Sequence, residues 1–127
     1  MMTDSGYSPL VIEHFHAPRN TGLLLSGPDV IVGTAGAAEQ GAMFTLSAQI
    51  VGERLGAVRF AAYGCPHCLA AGSWLSERLS GVSRADLEDW RWQEVAAALA
   101  VPAEKRGRLL VLEDAVRALA GAWRARG

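Results

Sequence analysis

The sequence predicts an α+β fold in which a small antiparallel sheet of three strands carries helices on one face, with an N-terminal helix before it and a long C-terminal helix at the end. Three observations lead there. Apolar and polar residues alternate in two neighbouring stretches of the first half, their connection is too short for a parallel crossover, and from Cys65 onward the apolar period lengthens to three and four. The chain has 127 residues, 50% of them apolar, which suits one domain over 1–127 with its own core and no disulfide staples.

Ser8 to His16, "SPLVIEHFH", opens with a capping serine and a proline in the tolerated first helical position. Leu10, Val11 and Phe15 are its expected apolar contacts, and Pro18 ends it. His14 and His16, two apart, face different ways and are expected at the surface or as capping residues. A weaker strand is expected at Asp29 to Gly33, "DVIVG". Phe44, Leu46, Ala48 and Ile50 then alternate with Thr45, Ser47 and Gln49, and after a Gly52 to Gly56 turn region Val58, Phe60 and Ala62 alternate again, so this pair reads as a hairpin.

From Cys65 the pattern is helical through Leu69, Leu75 and Leu79 to a stop at Gly81. Ser83 with Asp86 reads as a capping box for a short helix, and "WQEVAAALA" reads as another. Beyond Pro102, Leu109, Leu112, Val116, Leu119 and Trp123 recur at 3, 4, 3 and 4, the stripe of a long amphipathic helix.

Charge excludes several roles. With 12 Lys and Arg against 13 Asp and Glu, no overall field draws in nucleic acid or an anionic membrane. Arg106, Arg108, Arg117, Arg124 and Arg126 thicken the basic charge near the end, as a solvated helix face does. No apolar run is long enough for a signal peptide or a membrane span, so a cytoplasmic location is expected, where paired thiols are reduced.

The only cysteines lie in "YGCPHCL". Cys65 falls at the junction of strand and helix, where free N–H groups and the helix dipole favour a thiolate, with Cys68 one turn on. Cys-Pro-His-Cys is identical to the active-site tetrapeptide of the DsbA-type oxidants. Their thioredoxin fold, however, needs a βαβ context, and here a hairpin precedes the motif and only helices follow. As a metal corner, Cys65 and Cys68 with His67 as a third donor fall short of the four that zinc or an iron–sulfur cluster usually takes. Glu39, Glu113, Asp114, a second subunit or a partner would have to complete it. The remaining reading is two small apolar residues packed at the junction.

Longer segments resemble a family. "YSPLVIEHFHAPRNTG", Tyr7 to Gly22, is similar to the opening of the IscU/NifU N-terminal domain, where a helix is followed by Pro-Arg-Asn-x-Gly. "VRFAAYGC", Val58 to Cys65, resembles that family's Arg-Phe-x-x-Tyr-Gly-Cys, and "LEDAVRAL", Leu112 to Leu119, resembles the start of its last helix. The resemblance implies an iron–sulfur cluster assembly scaffold, not an enzyme, with iron, zinc or an iron–sulfur cluster at its site and a cysteine desulfurase among its partners. Cys65 matches the family's second ligand cysteine, and Cys68 matches none. At the other ligand positions the resemblance places Gln40 for a cysteine, Ala42 for an aspartate, Gly107 for a histidine and Arg108 for a cysteine. The chaperone-recognition segment is reduced to "VPAEK", which retains Pro102 and Lys105.

A fixed cation at position 108 would favour a thiolate on Cys65 and repel a metal ion, and the amide of Gln40 is a poor donor for soft metals. The expectation is thus a divergent assembly protein in which Cys65, with Cys68, binds metal or accepts sulfur. A thiol-disulfide or persulfide-handling protein with Cys65 as nucleophile and Cys68 as resolving thiol is one alternative. A non-catalytic module that engages assembly partners is the other.

Overall fold

The computed structural model describes residues 7–126. Helix α1 (Pro9–His16) precedes strands β1 (Val30–Ala37), β2 (Ala42–Val51) and β3 (Arg54–Tyr63). Helices α2 (Pro66–Leu79), α3 (Arg84–Glu88), α4 (Gln93–Ala98) and α5 (Gly107–Ala125) follow. The strands form an antiparallel meander in the order β1-β2-β3. The α+β expectation holds, and among the described residues no strand follows α2, so the Cys-Pro-His-Cys motif does not lie in a thioredoxin arrangement.

One face of the sheet makes the core. Phe44, Leu46 and Ala48 of β2 pair with Ala62, Phe60 and Val58 of β3, and the period-two pattern turns them all to the same side. Helix α5 packs on β1 and β2, α2 packs on β3, and α1 packs on α2. The α5 stripe is as expected: Leu109, Leu112, Val116, Leu119 and Trp123 are all buried. Two glycines let helices approach the sheet closely. A Cβ at Gly33 of β1 would strike the backbone of Ala115 and Leu119 on α5, and one at Gly72 of α2 would strike the Phe60 ring.

Several expectations need correction. The first strand runs to Ala37 rather than Gly33, because Thr34 to Ala37 pair in register with Thr45 to Ala42. The hairpin turn contracts to Gly52 and Glu53, with Val51 opposite Arg54. Ser47, expected on the wet face, is buried because its hydroxyl accepts the Leu24 N–H at 3.0 Å from a loop crossing that face. Phe15 is exposed, with its ring 5.5 Å from that of His16, while Val11 and Leu10 hold α1 to the core.

His14 is likewise not a surface residue. It is 2% exposed, and its Nδ1 lies 2.7 Å from the Ser73 hydroxyl of α2. That hydroxyl oxygen also accepts the Arg19 N–H at 2.8 Å. Asn20 adds a bond from Nδ2 to the Ser76 hydroxyl at 3.1 Å, and its carbonyl accepts the Phe60 N–H at 2.9 Å. Thr21 thereby bridges to Phe60 in parallel, which covers part of the open edge of β3. The Pro-Arg-Asn-x-Gly segment ties α1, α2 and β3 together.

Candidate functional site

The site is built where β3 ends and α2 begins. Cys65 is the N-cap of α2 in extended conformation, Pro66 takes the first helical position as its fixed φ allows, and the cap makes no side-chain hydrogen bond. Cys65 is half-buried and Cys68 fully buried; both are free thiols. The sulfur of Cys68 lies beneath Gly64: a Cβ there would stand 2.5 Å from it and 3.0 Å from the Gly41 carbonyl. Gly64 has φ +149°, open to glycine, so the chain can pass directly over the buried thiol.

Gly41 belongs to the second segment of the site. A 3-10 turn at Ala38–Gln40 connects β1 to β2; Gln40 is exposed, and Ala42 is buried at the first position of β2. The third segment is the start of α5, where Gly107 is exposed and Arg108 half-buried with its Nε out of solvent and without a partner among the described residues. Arg108 acts electrostatically on both Cys68 and His67, so the three segments meet at one corner.

His67 is 3% exposed. Its Nδ1 lies 4.0 Å from the Cys65 sulfur, its ring centroid 4.8 Å from that of Tyr7, and among the described residues its Nε2 has no partner. Burial, then the charges of Lys105 and Arg108, push the imidazole below its ordinary value, with Glu104 opposing them. The imidazole is therefore neutral near pH 7. Burial, reinforced by the neighbouring Cys65 sulfur, pushes the Cys68 thiol up to about 12. Cys68 is thus a protonated core residue as well as a neighbour of Cys65.

The other expected donors stand apart. Glu113 on α5 accepts the Trp92 N–H at 2.8 Å, and Glu39 is exposed on the 3-10 turn. Among the described residues no group of three or more His, Cys, Asp and Glu side chains is arranged to hold a metal ion. Sequence reasoning brought Cys65, Cys68, His67, Gln40, Ala42 and Arg108 under consideration and missed Lys105 and Tyr7 as their neighbours. No local pattern places Lys105 or Tyr7 beside Cys65; they reach the corner only through the fold.

The model of the NifU-like N terminal domain matches residues 6–127. The chain belongs to this family. The bifunctional protein NifU/MnmA of Rubrobacter xylanophilus is 37% identical over 95% of this NifU-like chain, which spans only 25% of that protein's length. The iron-sulfur cluster assembly scaffold protein IscU of Azotobacter vinelandii is 34% identical, covering 88% of this chain and 89% of that one. Among solved structures, a candidate SUF-system assembly scaffold from Fervidobacterium islandicum AW-1 aligns with TM-score 0.70 over 90% of this chain and 96% of its own. At 14% identity that likeness shows the NifU-like fold alone.

Proposed function

We propose that this NifU-like domain, residues 1–127, works in iron–sulfur cluster assembly as a divergent protein of the scaffold type, in which Cys65 accepts sulfur from a donor protein. The observation that carries this is the convergence of the Gly41 turn, the start of α2 and the start of α5 on one half-buried thiol, Cys65. The last contributes a cation at Arg108 rather than a soft ligand. A guanidinium stabilises a sulfur anion and opposes a ferrous ion, so sulfur rather than iron suits the corner first.

The step needs no catalytic group of this chain. The Cys65 sulfur attacks the outer sulfur of a persulfide on the donor, a new S–S bond forms on Cys65, and the donor's thiolate leaves. A cysteine desulfurase is the partner of matching chemistry, and the chain is a carrier rather than an enzyme. Iron or a whole cluster would be cargo for which Cys65 supplies one ligand, with the others from a partner or second copy. Among the described residues no helix is long and apolar enough to cross a membrane. Thiol-disulfide exchange is disfavoured because its resolving thiol, Cys68, is fully buried and protonated to about pH 12.

The test is the sulfur, sulfide and metal content of protein prepared without oxygen in the presence of a desulfurase and cysteine, for wild type and Cys65→Ser. About one sulfur per chain on Cys65, absent from the variant, is expected. Content that does not depend on Cys65 overturns the proposal.

A further inference from the structure

The face of the sheet turned away from the helices is built unlike a solvated surface. An antiparallel sheet with one wet face usually carries polar and charged side chains there. Its outward positions form three rows across the strands: Val32, Ser47 and Arg59, then Thr34, Thr45 and Ala61, then Gly36, Met43 and Tyr63. Arg59 is the one charge in these rows, and its guanidinium turns to the rim, where it donates to the Thr21 carbonyl at 3.2 Å. The Thr34 and Thr45 hydroxyls bond to each other at 3.2 Å. Seven large apolar side chains are exposed among the described residues, and four of them, Leu23, Leu25, Val32 and Tyr63, gather on this face. A contiguous apolar patch of this kind marks a contact surface.

The same face has a step in it. The loop of Leu23, Leu24 and Leu25 lies over the first row, held by the Leu24 N–H on the Ser47 hydroxyl at 3.0 Å, and leaves the other two rows bare. Leu25 is 90% exposed and projects from this raised half. The bare half holds a cavity of about 160 Å³ lined by Met43, Thr45, Ala61, Ala62 and Tyr63, room for one aliphatic side chain. Projection and cavity lie about three strand residues apart, roughly 10 Å.

We propose that this face binds a second copy of the chain, Leu25 of each copy entering the cavity beside Tyr63 of the other. A two-fold axis in the plane of contact, running across the strands at the step, sets the raised half of each copy on the bare half of its partner. Two identical charged faces would repel, whereas this one brings no carboxylate or lysine against its own image. Three strands about 4.8 Å apart, with the loop, offer on the order of 400 Å² per copy, well below the ~800 Å² per partner of a standard interface, so the dimer is weak and reversible. The two Cys65 thiols fall at opposite ends of the contact, because each follows Tyr63 at the cavity end. The second copy thus walls one side of each site without joining the thiols. Nothing in the contact depends on sulfur transfer to Cys65.

The test is sedimentation velocity of the full chain from about 5 to about 500 μM, with a dimer dissociation constant on the order of 100 μM expected. Leu25→Glu and Ala61→Lys, both at exposed positions, should each weaken the dimer tenfold or more. The double variant pairs the two new charges across the contact and should recover most of the loss. Leu110→Glu, on an exposed part of α5, should leave association unchanged. A chain that stays monomeric over the whole range, a dimer no weaker in Leu25→Glu and Ala61→Lys than in Leu110→Glu, or no recovery in the double variant would overturn the proposal. So would a cysteine desulfurase that binds the monomer and loses it in Leu25→Glu, which would give this face to another protein. Dimerisation with no sulfur on Cys65 would leave this contact standing and remove the sulfur-acceptor reading.

Discussion

Gly64→Ala should loosen the corner by an amount that can be divided into its causes. Position 64 has φ +149°, a region that residues with a side chain rarely occupy, and holding alanine there costs about 1–3 kcal/mol. The added Cβ would also stand 2.5 Å from the Cys68 sulfur, against an ordinary contact of about 3.5–4 Å. Relieving that overlap costs a further ~1–3 kcal/mol, because Cys68 is fully buried and the Gly41 carbonyl, 3.0 Å from the same point, blocks the other exit. The sum is about 2–6 kcal/mol, with its centre at about 4, in a total stability of about 5–15 kcal/mol, so the variant folds but unfolds earlier. With a urea dependence of ~2 kcal/mol per molar, the midpoint should fall by about 2 M. In a Cys68→Ala background the sulfur overlap is gone while the 3.0 Å approaches to the Cβ at position 68 and to the Gly41 carbonyl remain, so the same substitution should cost about 1–2 kcal/mol less. A loss below ~0.5 kcal/mol in wild type, or equal losses in both backgrounds, would refute the placement of Cys68 beneath Gly64.

Three more expectations can be checked on the same protein. Iodoacetamide should label Cys65 alone in the native state, with Cys68 reacting only after denaturation; mass spectrometry of peptides reads this directly. His14 and His67 both lie below their ordinary 6.5 in the fold, so the unfolded chain takes up protons first as pH falls. Stability should therefore be full above about pH 7.5 and decline through pH 6.5, by up to about 1.4 kcal/mol per pH unit for each histidine; a flat profile from 7.5 to 5.5 in urea melts would contradict their burial. Leu119→Ala removes a fully buried side chain from the face of α5 against β1 and should cost about 2–5 kcal/mol, measured by urea unfolding.

Much of the architecture was legible because it depends on local periodicity and capping. Ser8 accepts the Val11 N–H at 3.2 Å as its place before Pro9 implies, and Ser83 does the same for Asp86 at 3.2 Å. The α5 stripe is buried along its whole length. Where expectation failed, a distant partner had intervened. Thr34 to Ala37 carry no strand signal, and extend β1 only because β2 offers a matching edge. His14 looked like a surface residue until Ser73, 59 positions away, supplied its hydrogen bond.

The same division runs through the site. Sequence alone determined that Cys65 begins a helix after a strand, that Cys68 follows one turn later, and that Gln40, Ala42 and Arg108 stand where the family has ligands, since each rests on neighbours in the chain. Tertiary packing decided which cysteine faces solvent, because α2 leans on β3 and turns Cys68 inward beneath Gly64. It also decided that Lys105 and Arg108 bear on His67, nearly 40 positions earlier. Charges and donors so far apart in sequence interact only when folding removes the water between them, which no local pattern of residues encodes.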